Sequence, residues 1–139
     1  MRKGRKLSII VPVYNEERTV KQVIKRLSEL KIKGWKLEII IVDDGSTDGT
    51  TQILTSPTTL KLRRAWKFIF HKRNQGKGAA IRTGLTKATG EYVIIQDADL
   101  EYNPEEIENL VRKAEKEDLM AVFGSRDREI KNKYLYPHY

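Results

Sequence analysis

The sequence predicts a three-layer α/β/α domain built on a doubly wound, mostly parallel sheet. Two observations carry this expectation. Five short β-branched or aromatic runs are continuously apolar instead of alternating, the pattern of strands covered on both faces. Segments of helical or loop character separate them, so that strand, helix and strand succeed one another along the chain.

The first two runs cover residues 7–11 (Leu-Ser-Ile-Ile-Val) and 37–42 (Leu-Glu-Ile-Ile-Ile-Val). Three more follow at residues 66–70, 92–95 and 120–123. After the first run, Val20, Val23, Ile24, Leu27 and Leu30 fall at helical spacing, with Gly34 as a stop. Residues 78–88 repeat the helical period through Ala79, Ala80, Ile81, Leu85 and Ala88. Asn103-Pro104-Glu105-Glu106 is a helix start, with Asn as cap, Pro at the first position and carboxylates toward the positive end of the dipole. Ile107, Leu110, Val111 and Ala114 then mark the buried face. Residues 49–65 are less regular. Asp48 caps a short helix through Leu54, Ser56-Pro57 interrupts it, and a basic loop follows. With no repeat, low-complexity tract or linker, residues 1–139 read as one domain.

The apolar runs, about six residues each, are far below the roughly 18–20 needed to cross a bilayer. The basic opening at residues 2–6 leads into an apolar stretch that ends at Pro12-Val13, too short for a secretory signal, so a cytoplasmic protein is expected. Zero cysteines exclude disulfides and thiolate metal sites. The net charge of +8 favours anionic partners, nucleotides and phospholipid headgroups among them, and is compatible with peripheral contact with an anionic membrane. Nucleic acid is not expected as a partner, because no arginine-rich stripe with interleaved aromatics is present.

In open parallel sheets, ligands bind beyond the carboxyl ends of the strands, and the informative residues follow the five runs at those ends. They are Pro12-Val13-Tyr14-Asn15-Glu16, Asp43-Asp44-Gly45-Ser46-Thr47-Asp48, Asn74-Gln75-Gly76-Lys77-Gly78, Asp97-Ala98-Asp99-Leu100-Glu101 and Gly124-Ser125-Arg126. Asp97 and Asp99 are the sharpest signal. Two carboxylates two residues apart at a strand end can both reach a hard divalent cation, and Mg2+ is commonly held by one or two carboxylates plus substrate phosphate oxygens. The same pair could instead form an Asx-turn and cap the next helix. Asp43-Asp44-Gly45 could be turn chemistry, with Gly45 at positive φ, or Asp44 could accept hydrogen bonds from a base or ribose. Tyr14 offers an aromatic face or is simply half-buried. Lys77, between two glycines at a helix start, suits phosphate approach or sits in a plain loop. Arg126 could grip a phosphate bidentately or form a surface ion pair. His71 and His138 are assigned no role.

Taken together, these segments resemble the inverting glycosyltransferases of family 2, whose nucleotide-binding domain is called GT-A. The similarity rests on residues 8–17 (Ser-Ile-Ile-Val-Pro-Val-Tyr-Asn-Glu-Glu), on 42–50 (Val-Asp-Asp-Gly-Ser-Thr-Asp-Gly-Thr), on 74–80 (Asn-Gln-Gly-Lys-Gly-Ala-Ala) and on 97–101 (Asp-Ala-Asp-Leu-Glu). The form of the last two is most similar to the branch that makes dolichyl- or polyprenyl-phosphate sugars. The resemblance implies that Pro12, Tyr14, Glu16, Val42 and Asp44 surround the base and ribose of a UDP- or GDP-linked sugar. It implies that Asp97 and Asp99, the catalytic pair, hold Mg2+ or Mn2+ with Glu101 alongside, that Lys77 and Ala98 line the donor site, and that Arg126 faces a phosphate.

Two departures stand out. Residues 55–65 do not read as the family's usual helix. The chain also ends after the fifth run, where family members continue into an acceptor-binding portion. A hydroxyl acceptor requires a positioned general base, which no unassigned carboxylate here supplies. A lipid phosphate, with a second pKa of about 6, requires none, and this favours a polyprenyl-phosphate acceptor at a membrane surface. The alternative reading is a truncated, non-catalytic nucleotide- or metal-binding module of the same fold. A phosphoacceptor receiver domain would place its paired acids after the first strand. A dinucleotide-binding or P-loop enzyme would need Gly-x-Gly-x-x-Gly or Gly-Lys-Ser/Thr, and Lys77 is followed by Gly78.

Overall fold

A computed structural model describes residues 5–62, 65–99, 105–117, 122–123 and 134–137. The elements in chain order are β1 (Arg5–Val13), α1 (Val20–Glu29), β2 (Trp35–Asp43), α2 (Thr50–Leu54), α3 (Pro57–Leu60), β3 (Lys67–Phe70), α4 (Lys77–Lys87), β4 (Tyr92–Ile95), α5 (Glu105–Glu117), β5 (Val122–Phe123) and β6 (Tyr134–Pro137). They form one six-stranded sheet in the order β3-β2-β1-β4-β6-β5. The pairs β1–β2, β1–β4 and β2–β3 are parallel, while β6 runs antiparallel to both β4 and β5.

The expected three layers are present because the central strands bury both faces. Leu7, Ile9, Val11, Val13, Ile39 and Ile41 meet Val20, Val23 and Leu27 of α1, Leu54 of α2, and Ile107, Val111 and Ala114 of α5. On the other face Ile10, Ile40, Val42 and Val93 meet Ala80 of α4 and Ala88. At Gly84, α4 comes so close to the sheet that a Cβ there would lie 2.5 Å from Ile10 Cγ2. The edge strand β3 is only partly covered, and its Trp66 neighbour stacks on Phe68 at a centroid distance of 6.2 Å.

Several expectations change in detail. Helix α1 ends before Leu30, which is extended, and Gly34 (φ +85°) turns the chain into β2 instead of ending the helix. Ser56-Pro57 does not merely interrupt. Ser56 accepts a hydrogen bond from the Thr59 N–H and Pro57 occupies the first position of α3, so the pair restarts a helical turn where a loop was expected. The helix start at Asn103-Pro104 lies outside the described residues, but α5 buries Ile107, Val111 and Ala114 as its period requires. The fifth run does not sit beside β4. The unanticipated β6 separates them, pairing Val93 with Tyr136 on one side and Val122 with Leu135 on the other. Among the described residues, no helix is long and apolar enough to cross a membrane.

Candidate functional site

Because β1, β2, β3 and β4 run parallel, their carboxyl ends share one edge, and the loops that leave them are tied to one another. Asn15 adopts a left-handed conformation (φ 50°), which Asn tolerates better than most residues. From there its Oδ1 accepts the Thr47 N–H at 2.8 Å, and its own N–H donates to Ser46 Oγ at 3.0 Å. The Glu16 N–H donates to Thr50 Oγ1 at 2.9 Å. Asp43 Oδ1 accepts the Ser46 N–H and hydroxyl, and its Oδ2 accepts the Thr51 hydroxyl, so Asp43 builds the turn. Gly49, not Asp48, is the N-cap of α2; Asp48 stands just before it and accepts the Thr50 N–H at 2.9 Å and the Thr50 hydroxyl in an Asx-type turn.

Asp44 is 2% exposed and joins three strand ends. Its Oδ1 accepts from His71 Nδ1 at 2.8 Å and from the Gln75 N–H at 3.0 Å. Its Oδ2 accepts from Asn74 Nδ2 at 3.0 Å and from the Gly76 N–H at 2.9 Å. Burial opposes its charge, yet the donors at His71, Gln75 and Gly76 outweigh burial and hold the carboxyl below its ordinary value. A carboxylate only accepts, so His71 Nδ1 carries a proton, and Nε2 reaches Thr83 Oγ1 on α4 at 2.9 Å. His71 therefore has a structural task that inspection of the sequence missed. The available signal was its position, directly after the third apolar run, at the edge where the other polar residues gather. In Asp44→Asn, one of these donor pairs would face an NH2 group. We expect a stability loss of about 2 kcal/mol in urea unfolding, with a looser 74–76 loop.

A cleft of about 240 Å3 opens at this edge, lined by Pro12, Tyr14, Glu16, Asp44, Lys77 and the Asp97-Ala98-Asp99 segment, among others. Tyr14 is 44% exposed and presents its ring there. Lys77, the first residue of α4, donates from Nζ to Asp97 Oδ1 at 2.5 Å, bridging the ends of α4 and β4. Thr19, also missed, donates from Oγ1 to the Ala98 carbonyl at 2.5 Å and lies 3.0 Å from Glu16 Oε2, which ties β1's loop to the aspartate segment. Burial, followed by the charges of Asp99, Asp48 and Asp97, raises the Glu16 carboxyl above its ordinary value against the opposing effect of Thr19. The cleft is thus a concentration of negative charge with Lys77 as the one cation among the described residues of its lining.

Val42 is not brought into the lining. Its side chain is wholly buried with Ile10, Ile40 and Ala80, because strand alternation turns it toward α4 beneath the cleft. Glu101 and Arg126 lie outside the described residues. Among the described residues, no group of three His, Cys, Asp or Glu could enclose a metal ion. Asp97 and Asp99 nevertheless supply hard oxygen donors at an open cleft. They fit a cation completed by ligand phosphate oxygens and water, as Mg2+ commonly is, and do not fit an all-protein cage.

The mostly parallel sheet with helices on both faces is the fold of GT-A nucleotide-sugar transferases. The chain belongs to glycosyl transferase family 2, whose model matches residues 8–139. It is 38% identical over 124 residues to the undecaprenyl-phosphate 4-deoxy-4-formamido-L-arabinose transferase of Proteus mirabilis, covering 88% of this chain and 37% of that protein. Among solved structures it is similar to the mannosyltransferase PcManGT from Pyrobaculum calidifontis in complex with GDP-Man and Mn2+. That match has a TM-score of 0.70 and 28% identity, over 86% of this chain and 35% of the other. S. aureus TarS 1-349 in complex with UDP-GlcNAc gives a TM-score of 0.68 at 27% identity, over 88% of this chain and 36% of the other. The chain therefore spans little more than a third of the length of these relatives.

Proposed function

We propose that residues 1–139 form the donor-binding unit of an inverting, metal-dependent glycosyltransferase that takes its sugar from a UDP- or GDP-linked donor. The observation that carries this reading is the meeting of Tyr14, Glu16, Lys77, Asp97 and Asp99 in one cleft at the carboxyl edge of the parallel strands. Tyr14 and Pro12 flank the base, and Asp44 acts on the nucleotide by holding the 74–76 loop, since its oxygens are already engaged by the protein. Asp97 and Asp99 hold Mg2+ or Mn2+, with Glu101 alongside, and Ala98 lies between them against the donor. When bound, that ion supplies charge neutralisation for the departing diphosphate. Lys77 donates to phosphate oxygens from the start of α4, and Arg126 faces the donor diphosphate or an acceptor phosphate. The likeness to an undecaprenyl-phosphate sugar transferase supports a polyprenyl-phosphate acceptor, and with it a peripheral position at the cytoplasmic face of a membrane. Such an acceptor brings its own ionised oxygen, so none of the cleft carboxylates has to serve as general base.

Thermal unfolding with UDP, GDP, ADP and their sugar conjugates, each with Mn2+ or EDTA, tests the reading. At a hundred times its Kd a ligand adds about 2.7 kcal/mol, and we expect a metal-dependent shift with UDP or GDP. Asp99→Ala should abolish that shift and leave the unliganded midpoint within a few degrees of the parent. A folded protein that responds to no nucleotide would sink the reading.

A further inference from the structure

On the α1 face of the sheet, away from the cleft, a groove of about 890 Å3 runs between α1 and the α2–α3 segment. Ile24, Ile53 and Leu62 form its apolar part, and Arg18, Lys21 and Lys25 stand along it; none of the described residues lining it is acidic. Among the described residues, none of these three cations takes part in an ion pair, as is also true of Lys31, Lys33 and Lys36 and other surface cations; what sets the three apart is that they stand together along one groove. Lys21 and Lys25 are i,i+4 neighbours on α1, a like-charge spacing that weakens a helix by itself. The groove thus sets three positive charges outside any ion pair beside the partly exposed Ile53 and Leu62, with Ile24 buried at its base, an arrangement that an anionic amphiphile would complement on both counts.

We propose that this groove docks the protein on anionic phospholipid, with headgroup phosphates on Arg18, Lys21 and Lys25 and the start of the acyl chains on Ile53 and Leu62. Juxtamembrane cations each strengthen binding to an anionic leaflet, and apolar contact adds to this within the interface. Nucleic acid is the poorer fit, because no aromatic side chain is among the described residues lining the groove for a base to stack on. This inference does not depend on the nucleotide donor, but it deepens the peripheral membrane position proposed above and rests on that part of the reading.

Flotation of the full chain with vesicles of phosphatidylglycerol and phosphatidylcholine in equal parts, and with phosphatidylcholine alone, tests the proposal. The groove variant Arg18→Glu/Lys21→Glu/Lys25→Glu is compared with Lys31→Glu/Lys33→Glu/Lys36→Glu, which alters net charge equally at exposed positions outside the groove. Circular dichroism is used to check that both variants are folded. We expect salt-sensitive binding of the parent to the anionic vesicles alone, at least a roughly tenfold loss in the groove variant, and a much smaller loss in the other. Three outcomes would overturn the proposal: no binding by the parent, equal losses in both variants, or binding to a single-stranded oligonucleotide that matches the vesicles and is lost with the same groove charges.

Discussion

Replacing Glu38 by alanine is expected to destabilise the fold by about 3–5 kcal/mol, the range for removing one partner of a buried charge network. Glu38 is 8% exposed in the middle of β2. Its Oε1 accepts from Ser8 Oγ at 2.7 Å and from the Thr89 N–H at 2.8 Å, and its Oε2 accepts from Thr89 Oγ1 at 2.8 Å and from Lys67 Nζ at 3.1 Å. Ser8 Oγ in turn accepts the Gly90 N–H, so one carboxylate joins β1, β2, β3 and the turn before β4. Burial opposes the charge, but the Ser8, Thr89 and Lys67 donors outweigh it and lower the carboxyl from 4.5 to about 2. A depressed value means that this stabilisation is fully present above the ordinary 4.5 and drains away as the pH falls toward 2. The difference corresponds to about 3 kcal/mol. Midpoints of the parent and of Glu38→Gln, measured from neutral pH into the acid range, should therefore converge. A gap that stays constant with pH would show that the charge is not what Glu38 contributes. Glu38 lies five residues before Asp43, roughly 17 Å along the strand, so nucleotide binding well below the midpoint should be unaffected.

The second large effect is expected at Gly45. Here φ is +72°, and a Cβ would lie 2.3 Å from the Arg73 carbonyl carbon and 2.4 Å from the Asn74 nitrogen. Both neighbours are backbone, so no side chain can rotate away, and Gly45→Ala must push the 73–76 loop off Asp44. We expect a loss of about 3 kcal/mol or more, the left-handed penalty added to overpacking, together with weaker nucleotide binding. Gly34 provides the comparison. Its φ is +85°, but a Cβ there would meet nothing within 4 Å, so Gly34→Ala should cost only about 1–2 kcal/mol and spare binding. Denaturant unfolding of both variants separates the terms. Equal losses would mean that the close approach of the two loops contributes little.

These two positions also show how far the residues could be read without coordinates. Gly45 in an Asp-Asp-Gly-Ser turn announced its positive φ, because glycine is the residue that adopts it readily. Nothing in the sequence announced that its missing Cβ makes room for residues 73–74, since that contact joins loops 28 residues apart. The glutamate inside an otherwise apolar strand was visible, whereas its partners at positions 8, 67 and 89 become neighbours only through strand register. Likewise β6 was overlooked because its four residues, 134–137, end in proline and follow a basic stretch. Its strand conformation depends on pairing with β4 and β5, not on local preference.

What the sequence determined by itself is what local chemistry encodes. Continuous apolar runs specify strands buried on both faces, helical spacing specifies the layers, and the polar residues that end each run specify which edge of the sheet carries the chemistry. The tertiary structure alone decided how those residues share the work. It turned Val42 inward, gave Asp44 to His71, Asn74, Gln75 and Gly76, set Lys77 on Asp97, and gathered Arg18, Lys21 and Lys25 along one groove outside any ion pair among the described residues. The physical reason is that a hydrogen bond or an ion pair depends on the distance between groups. In a parallel sheet those distances are fixed by register and crossover connections, which bring together side chains that the linear order keeps far apart.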